Sequence, residues 1–292
     1  MEANKINLNK IRLEAKLTSK IYRVLKNQAK DVARLYDNNT SEVADNYRPE
    51  ILKEVRDGLR MSFAVFGNAM RKSIEKEFNI KFKSIEKDKF ANINRQIGLL
   101  SALFVANESE NQADLITLTS ASEIADVIKK QTDIKTEEIS RLIREQNDLS
   151  LVNTDKAKKR IATIETIIRN AKRDIAKNIE INLLSNAKSR ARLIGEQVIG
   201  IGEAKSRNIE SAEISNAKIT TGKGVISISK TWVAILDKKT RSSHIVADGQ
   251  EVDVNSSFIV GNENLEYPRD PKGSPANTIR CRCVAIYNKQ YI

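Results

Sequence analysis

Across the first 194 residues the chain carries three glycines, Gly58, Gly67 and Gly98, and one proline, Pro49. So few breakers leave little to interrupt helices. The apolar residues agree. Leu13, Leu17, Ile21, Val24, Val32 and Leu35 recur at threes and fours, with a gap at Gln28. Val55, Leu59, Phe63, Phe66, Met70 and Ile74 repeat the pattern after Pro49, which suits a first helical turn. A third helix is expected over Lys83 to Asn107. Ser120 and Glu123 have the spacing of a capping box for a helix through Lys130, and Thr136 with Glu137 and Glu138 resembles another start. Thr154 and Asp155 open the longest run. There Ile161, Ile164, Ile168, Ala171 and Ile175 make a heptad-like seam. A further helix carries Ile194, Val198 and Ile201 and fades near Ile214. The expectation is a helical bundle or elongated helical region over 1–217. Its apolar stripes read as core seams rather than a cofactor box, and no repeat of fixed length is present.

The scarce residues sit elsewhere. Of 292 residues one is His, one Trp and two Cys, and His244, Trp232, Cys281, Cys283 and three of the four prolines all lie beyond residue 217. The composition changes there. Val225 to Leu236 is rich in Val, Ile, Ser, Thr and Trp and reads as strand. Asp237 to Thr240 make a turn. Ile245–Ala247 and Glu251–Val254 flank Asp248-Gly249, a hairpin signal. Phe258 to Val260 is a short apolar piece, Pro268, Pro271 and Pro275 mark a loop, and Val284 to Tyr287 reads as a closing strand. The expected class is α+β, with a small β-rich domain over 218–292 to which a helix at 190–215 can belong.

Fifty Lys and Arg against 38 Asp and Glu give a net charge of +12. Basic and acidic residues interleave, and aromatics are 5%. That favours a mixed-charge solvated surface with non-specific phosphate affinity over base-stacking or sequence readout. The longest apolar run, Ile97 to Ala106, is about half of the roughly 20 residues a membrane span needs. Lys5, Lys10, Arg12, Lys16 and Lys20 break any leader-like apolar core, so a reducing cytosol is expected, and two cysteines rule out a disulfide scaffold. Gly195, Gly200, Gly202, Lys205 and Ser206 imitate a phosphate loop, but Ile201 stands where Lys is needed and no strand precedes. A helix kink, or close helix packing through small residues, is the better reading.

Within the C-terminal quarter an ordered string stands out: Trp232, Asp237, Thr240, Arg241, His244, Asp248, Gly249, Phe258, Tyr267, Pro268, Asp270, Pro271, Asn277, then Cys281-Arg282-Cys283. It resembles the C-terminal domain of the Mu F-like phage minor head proteins, the phage head morphogenesis family. The likeness covers roughly residues 190 to 285. Two features depart from the family pattern: Gly195-Glu196-Gln197 stands near where members often carry Arg-Thr-Glu, and Arg280 rather than Asn precedes Cys281. The resemblance implies a portal-associated minor head protein acting in head morphogenesis and DNA packaging or ejection. Its partners would be the portal, other head proteins and packaged DNA, with no membrane and no small-molecule substrate. It would pass from host cytoplasm to the virion. Some members carry toxin or transferase domains after this module; with nine residues after Cys283, none is expected here.

Cys281 and Cys283, two apart, would share one face of a strand. Two thiolates and the His244 imidazole suit Zn²⁺, with Asp237 or Asp248 as a possible fourth ligand, so a structural zinc is the one cofactor considered. Buried free thiols, a Cys-x-Cys disulfide, or His244 bonded to Asp237 are the alternatives. Arg241 and Arg282 could pair with Asp237 or Asp248. With one His and no nucleophile elbow, no catalytic residue is assigned and no enzyme is expected. Two alternatives stand beside the head protein: a DNA- or RNA-acting enzyme or toxin using His244, Cys281 and Cys283, and a helical nucleic-acid-binding protein with a small zinc module.

Overall fold

The computed structural model describes residues 2–36, 40, 42–82 and 87–292, leaving aside the side chains of 2–6 and 87. The fold is α+β. Its helices are α1 (Glu2–Leu35), the short α2 (Val43–Asn46), α3 (Arg48–Ser62), α4 (Asn68–Glu77), α5 (Lys87–Ser150) and α6 (Asp155–Asn216). A π-helical turn, Phe63–Gly67, joins α3 to α4.

Helix α5 runs without a break through the two starts expected at Ser120 and Thr136. No glycine or proline falls between 99 and 150. The hydroxyls of Thr117, Thr132 and Thr136 donate to carbonyls four residues back, at 2.8, 2.9 and 2.6 Å, and so do no capping. Ser120 and Glu123 serve another purpose: Arg190 donates to the Ser120 hydroxyl at 2.8 Å and pairs with the Glu123 carboxylate. Thr154 is a true cap, its Oγ1 accepting the Ala157 N–H at 3.2 Å at the start of α6. The start expected at Lys83 lies outside the described residues.

The chain divides into two compact units, and the division does not follow the composition change at residue 218. One unit is Lys20–Ile51 with Ala113–Ala191. Val32, Ile124, Ile175, Ile179 and Leu183 are buried in its core, with Ala29 and Ala33. Of the seam expected on α6, Ile164 and Ile175 are buried, whereas Ile161, Ile168 and Ala171 are half-buried. The other is Met1–Ser19, Leu52–Gln112 and Arg192–Ile292, so the end of α6 belongs with the β-rich part. Met70, Ile74, Phe78, Ile209 and Ile214 form one core with Ile226, Ile228, Trp232 and Phe258. Within this unit the α6 glycines serve packing: a Cβ at Gly202 would meet that of Ser62 at 2.6 Å, and one at Gly195 would meet Thr18 Oγ1 at 2.5 Å.

In the β-rich part β1 (Thr220–Thr221) and β2 (Gly224–Val233) form a tight hairpin. β2 is central. It pairs antiparallel with β3 (Glu251–Asp253) and, over its length from Ile226↔Tyr291 to Val233↔Val284, with β6 (Val284–Tyr291). β4 (Phe258–Val260) and β5 (Glu263–Leu265) make a separate two-stranded ribbon. The hairpin expected around Asp248-Gly249 is absent. Ser242–Ala247 is a helical turn, α7, and β3 pairs with β2 instead. The burial explains it: His244 and Ala247, three apart, are buried, while Ile245 and Val246 are exposed. That is a helical period, not a strand's. Gly249, at φ +77°, ends the turn in the left-handed conformation that glycine adopts freely. The loop after Pro271 includes the short helix α8 (Pro275–Thr278).

Candidate metal centre

Four local structures converge on one buried point. Alternation along β2 turns Ile226, Ile228, Lys230 and Trp232 inward. α7 directs His244 to the same place, where its ring meets Trp232 edge to face at 5.7 Å. Phe258, on β4, closes the other side of the indole at 5.3 Å. The segment leading into β6 supplies Cys281 and Cys283, both buried and both free thiols, and Arg282 between them points outward.

His244 Nδ1 lies 3.2 Å from Cys283 Sγ and 3.7 Å from Cys281 Sγ. Among the described residues these three form a group that could hold a metal ion, their ligand atoms all within 4.8 Å of one another. The spacing fits. Zn–S and Zn–N bonds of about 2.3 and 2.0 Å in a tetrahedron put N and S about 3.5 Å apart. The donors fit too, two soft sulfurs and an imidazole. His244 Nε2 is buried without a partner among the described residues, so the ring is anchored through Nδ1 alone. The Trp232 indole N–H, buried and short of a full hydrogen bond, lies where it favours charge on Cys283. The neighbouring Cys283 thiol, and to a lesser degree the His244 ring, push the Cys281 thiol down against the effect of its burial, and the same neighbour with burial pushes Cys283 up.

The other residues of the string hold this point in place. Asp237 is not a ligand, contrary to expectation. It is exposed, and its two oxygens accept from Arg282 at 2.6 and 2.7 Å. That bond, with the Lys239 N–H, holds its carboxyl well below the usual range. Asp248 Oδ1 accepts the Ala234 N–H at 2.7 Å, and the Gly249 N–H donates to the Trp232 carbonyl at 2.9 Å. Thr240 bonds the Ile235 carbonyl, closing the turn. Arg241 donates to the Ile279 carbonyl at 2.5 Å, tying α7 to the segment before the cysteines. Ser243 donates to Asn277 Oδ1 at 2.9 Å. Tyr267 is buried, with Lys205 5.1 Å over its ring, and burial raises its phenol. Pro268 sits in the wall of a cleft at Cys283.

Two residues absent from that string matter as much. Arg269, at φ +70°, donates to the Cys281 carbonyl at 2.6 Å and the Glu196 carbonyl at 2.8 Å. Lys230 is fully buried and donates to the Glu266 carbonyl at 2.7 Å and Asn208 Oδ1 at 3.1 Å. Burial pushes its amine down to about 8, against the opposing charge of Glu266. A lysine in phase with Ile226, Ile228 and Trp232 was visible in the sequence; the reach of Arg269 was not.

The β-rich part thus presents a buried trio of two thiols and an imidazole that could hold a metal ion. No family model and no solved structure matches the chain. A curated protein of Enterococcus faecalis (strain ATCC 700802 / V583), named NAD(+)--arginine ADP-ribosyltransferase EFV, is 30% identical to it over 158 residues. The aligned region is 50% of this chain and 32% of that protein, so the chain spans about a third of its relative. This likeness corrects two expectations. A structural role in a phage head and the absence of enzymatic function are both overturned by a relative that carries the name of an enzyme. Among the described residues no helix is long and apolar enough to cross a membrane.

Proposed function

We propose that the chain is a metal-stabilised part of an ADP-ribosyltransferase-type enzyme of the toxin class. The observation that carries this reading is the 30% identity to the E. faecalis transferase over half of the chain. The geometry supports a structural Zn²⁺ at His244, Cys281 and Cys283, which would fix α7 against the segment before β6. A buried trio of this kind adds metal-binding free energy to folding. The Mu F-like resemblance of residues 190 to 285 is a proposal about the same module.

The test is direct. The purified chain, under reducing conditions and with its zinc content measured, is incubated with labelled NAD⁺ and an arginine acceptor such as agmatine. Label transfer to the acceptor, or release of nicotinamide above the blank, is the expected result. Folded, zinc-replete protein that does neither overturns the enzyme reading. Less than a tenth of an equivalent of zinc per chain overturns the metal.

A further inference from the structure

We propose that a metal held by His244, Cys281 and Cys283 takes its fourth ligand from outside the protein, a water displaceable by a small anion that enters through the cleft at Cys283. The inference rests on the metal reading and adds that the site is open.

The protein side of the shell stops at three. Among the described residues no carboxylate, thiol or imidazole joins the group. Both oxygens of Asp237 are taken by Arg282, and Asp248, whose charge bears on Cys283, gives its Oδ1 to the Ala234 N–H. Four protein ligands close a zinc site, whereas three leave a position for water or another small ligand.

One member of the trio, Cys283, meets a cleft. Cys283 lines it together with Lys10, Arg207, Pro268, Arg269 and Tyr287. Its cavity volume of about 20 Å³ is enough to hold a water-sized ligand. Its walls carry an excess of positive charge. Lys10 is neutralised by Glu203 at 2.6 Å; among the described residues Arg269 donates to carbonyl oxygens, with the Glu14 charge near it, and Arg207 stacks on the Tyr287 ring at 5.3 Å. Guanidinium groups beside a metal favour an anionic ligand over a neutral one.

The experiment uses the full chain loaded with Co²⁺, whose visible spectrum reports coordination. Sodium azide, and separately inorganic phosphate, are titrated in. A saturable change in the d–d bands with azide is expected, and Arg207→Ala is expected to weaken azide about five-fold or more while leaving Co²⁺ affinity within two-fold. Bands insensitive to both anions overturn the open position and leave the metal standing. A spectrum altered by Asp248→Asn overturns it as well, by naming a protein ligand. Failure to bind Co²⁺ or Zn²⁺ at all overturns the metal reading together with this one.

Discussion

The helical unit of Lys20–Ile51 and Ala113–Ala191 and the β-rich region beyond residue 218 are stabilised in different ways. The helical unit is held by a seam of aliphatic side chains, Val32, Ile124, Ile175, Ile179 and Leu183, each contributing modest burial. No one of them directs another. In the β-rich region single side chains have no substitute. Trp232 contacts both His244 and Phe258, Arg241 and Arg269 anchor the carbonyls of Ile279 and Cys281, and Asp248 holds Ala234. Distributed packing tolerates exchange of one aliphatic residue for another of similar volume. A convergent polar point does not, because each lost partner leaves a buried group unpaired.

Four measurements would break or sharpen that contrast. Trp232→Ala should have the largest effect. It empties the most central position of the β-rich core and should cost about 3–5 kcal/mol in urea unfolding followed by circular dichroism. A cost near that of one surface substitution would dissolve the distinction between the regions. Next, removal of metal with a zinc chelator should lower the thermal midpoint of the native chain by several degrees, and leave His244→Ala unmoved. Equal loss in both would place the chelator's effect elsewhere.

Lys230 gives the third. Its folded value, about 8, lies below the 10.5 of a free lysine. Between those values the unfolded chain holds more protons than the folded one. Stability from this group should therefore rise with pH from about 8 to 10.5, by at most about 1.4 kcal/mol per pH unit. Lys230→Met should flatten that rise in urea midpoints measured across the window. A native profile already flat there would show Lys230 to be less desolvated than its burial implies. The smallest effect belongs to the helical seam: Ile179→Val should cost about 0.5–1.5 kcal/mol in the same unfolding assay. A cost above that of Trp232→Ala would reverse the comparison.

The sequence shows these regions unequally. The seam residues of α1 and α6 were readable in part: Leu17, Ile21, Val24 and Ile164 are fully buried as the threes and fours imply, while Leu13, Ile161 and Ile168 are half-buried and Gln28, read as a gap, is buried. Helix length was not readable, because Ser120 and Thr136 look the same in sequence whether they cap a helix or bond within one. The convergence of Trp232, His244, Cys281 and Cys283 was legible through scarcity. The helical turn around His244 was not, since Asp248-Gly249 serves equally as a hairpin tip and as a helix end. Asp237 failed as a ligand for a related reason. Its neighbour in space, Arg282, is 45 residues away, and spacing alone cannot weigh a guanidinium against a metal.

Gly200 lies one turn beyond Glu196 on α6, and Arg269 crosses the helix there, so that a Cβ at position 200 would overlap the guanidinium. The two positions are therefore bound in their evolutionary order. A lineage that first gains a side chain at 200 displaces Arg269 and releases the Cys281 carbonyl; one that first loses Arg269 is free to fill position 200 afterwards. Relatives with alanine or larger at 200 should accordingly lack an arginine at 269 or hold it in another position.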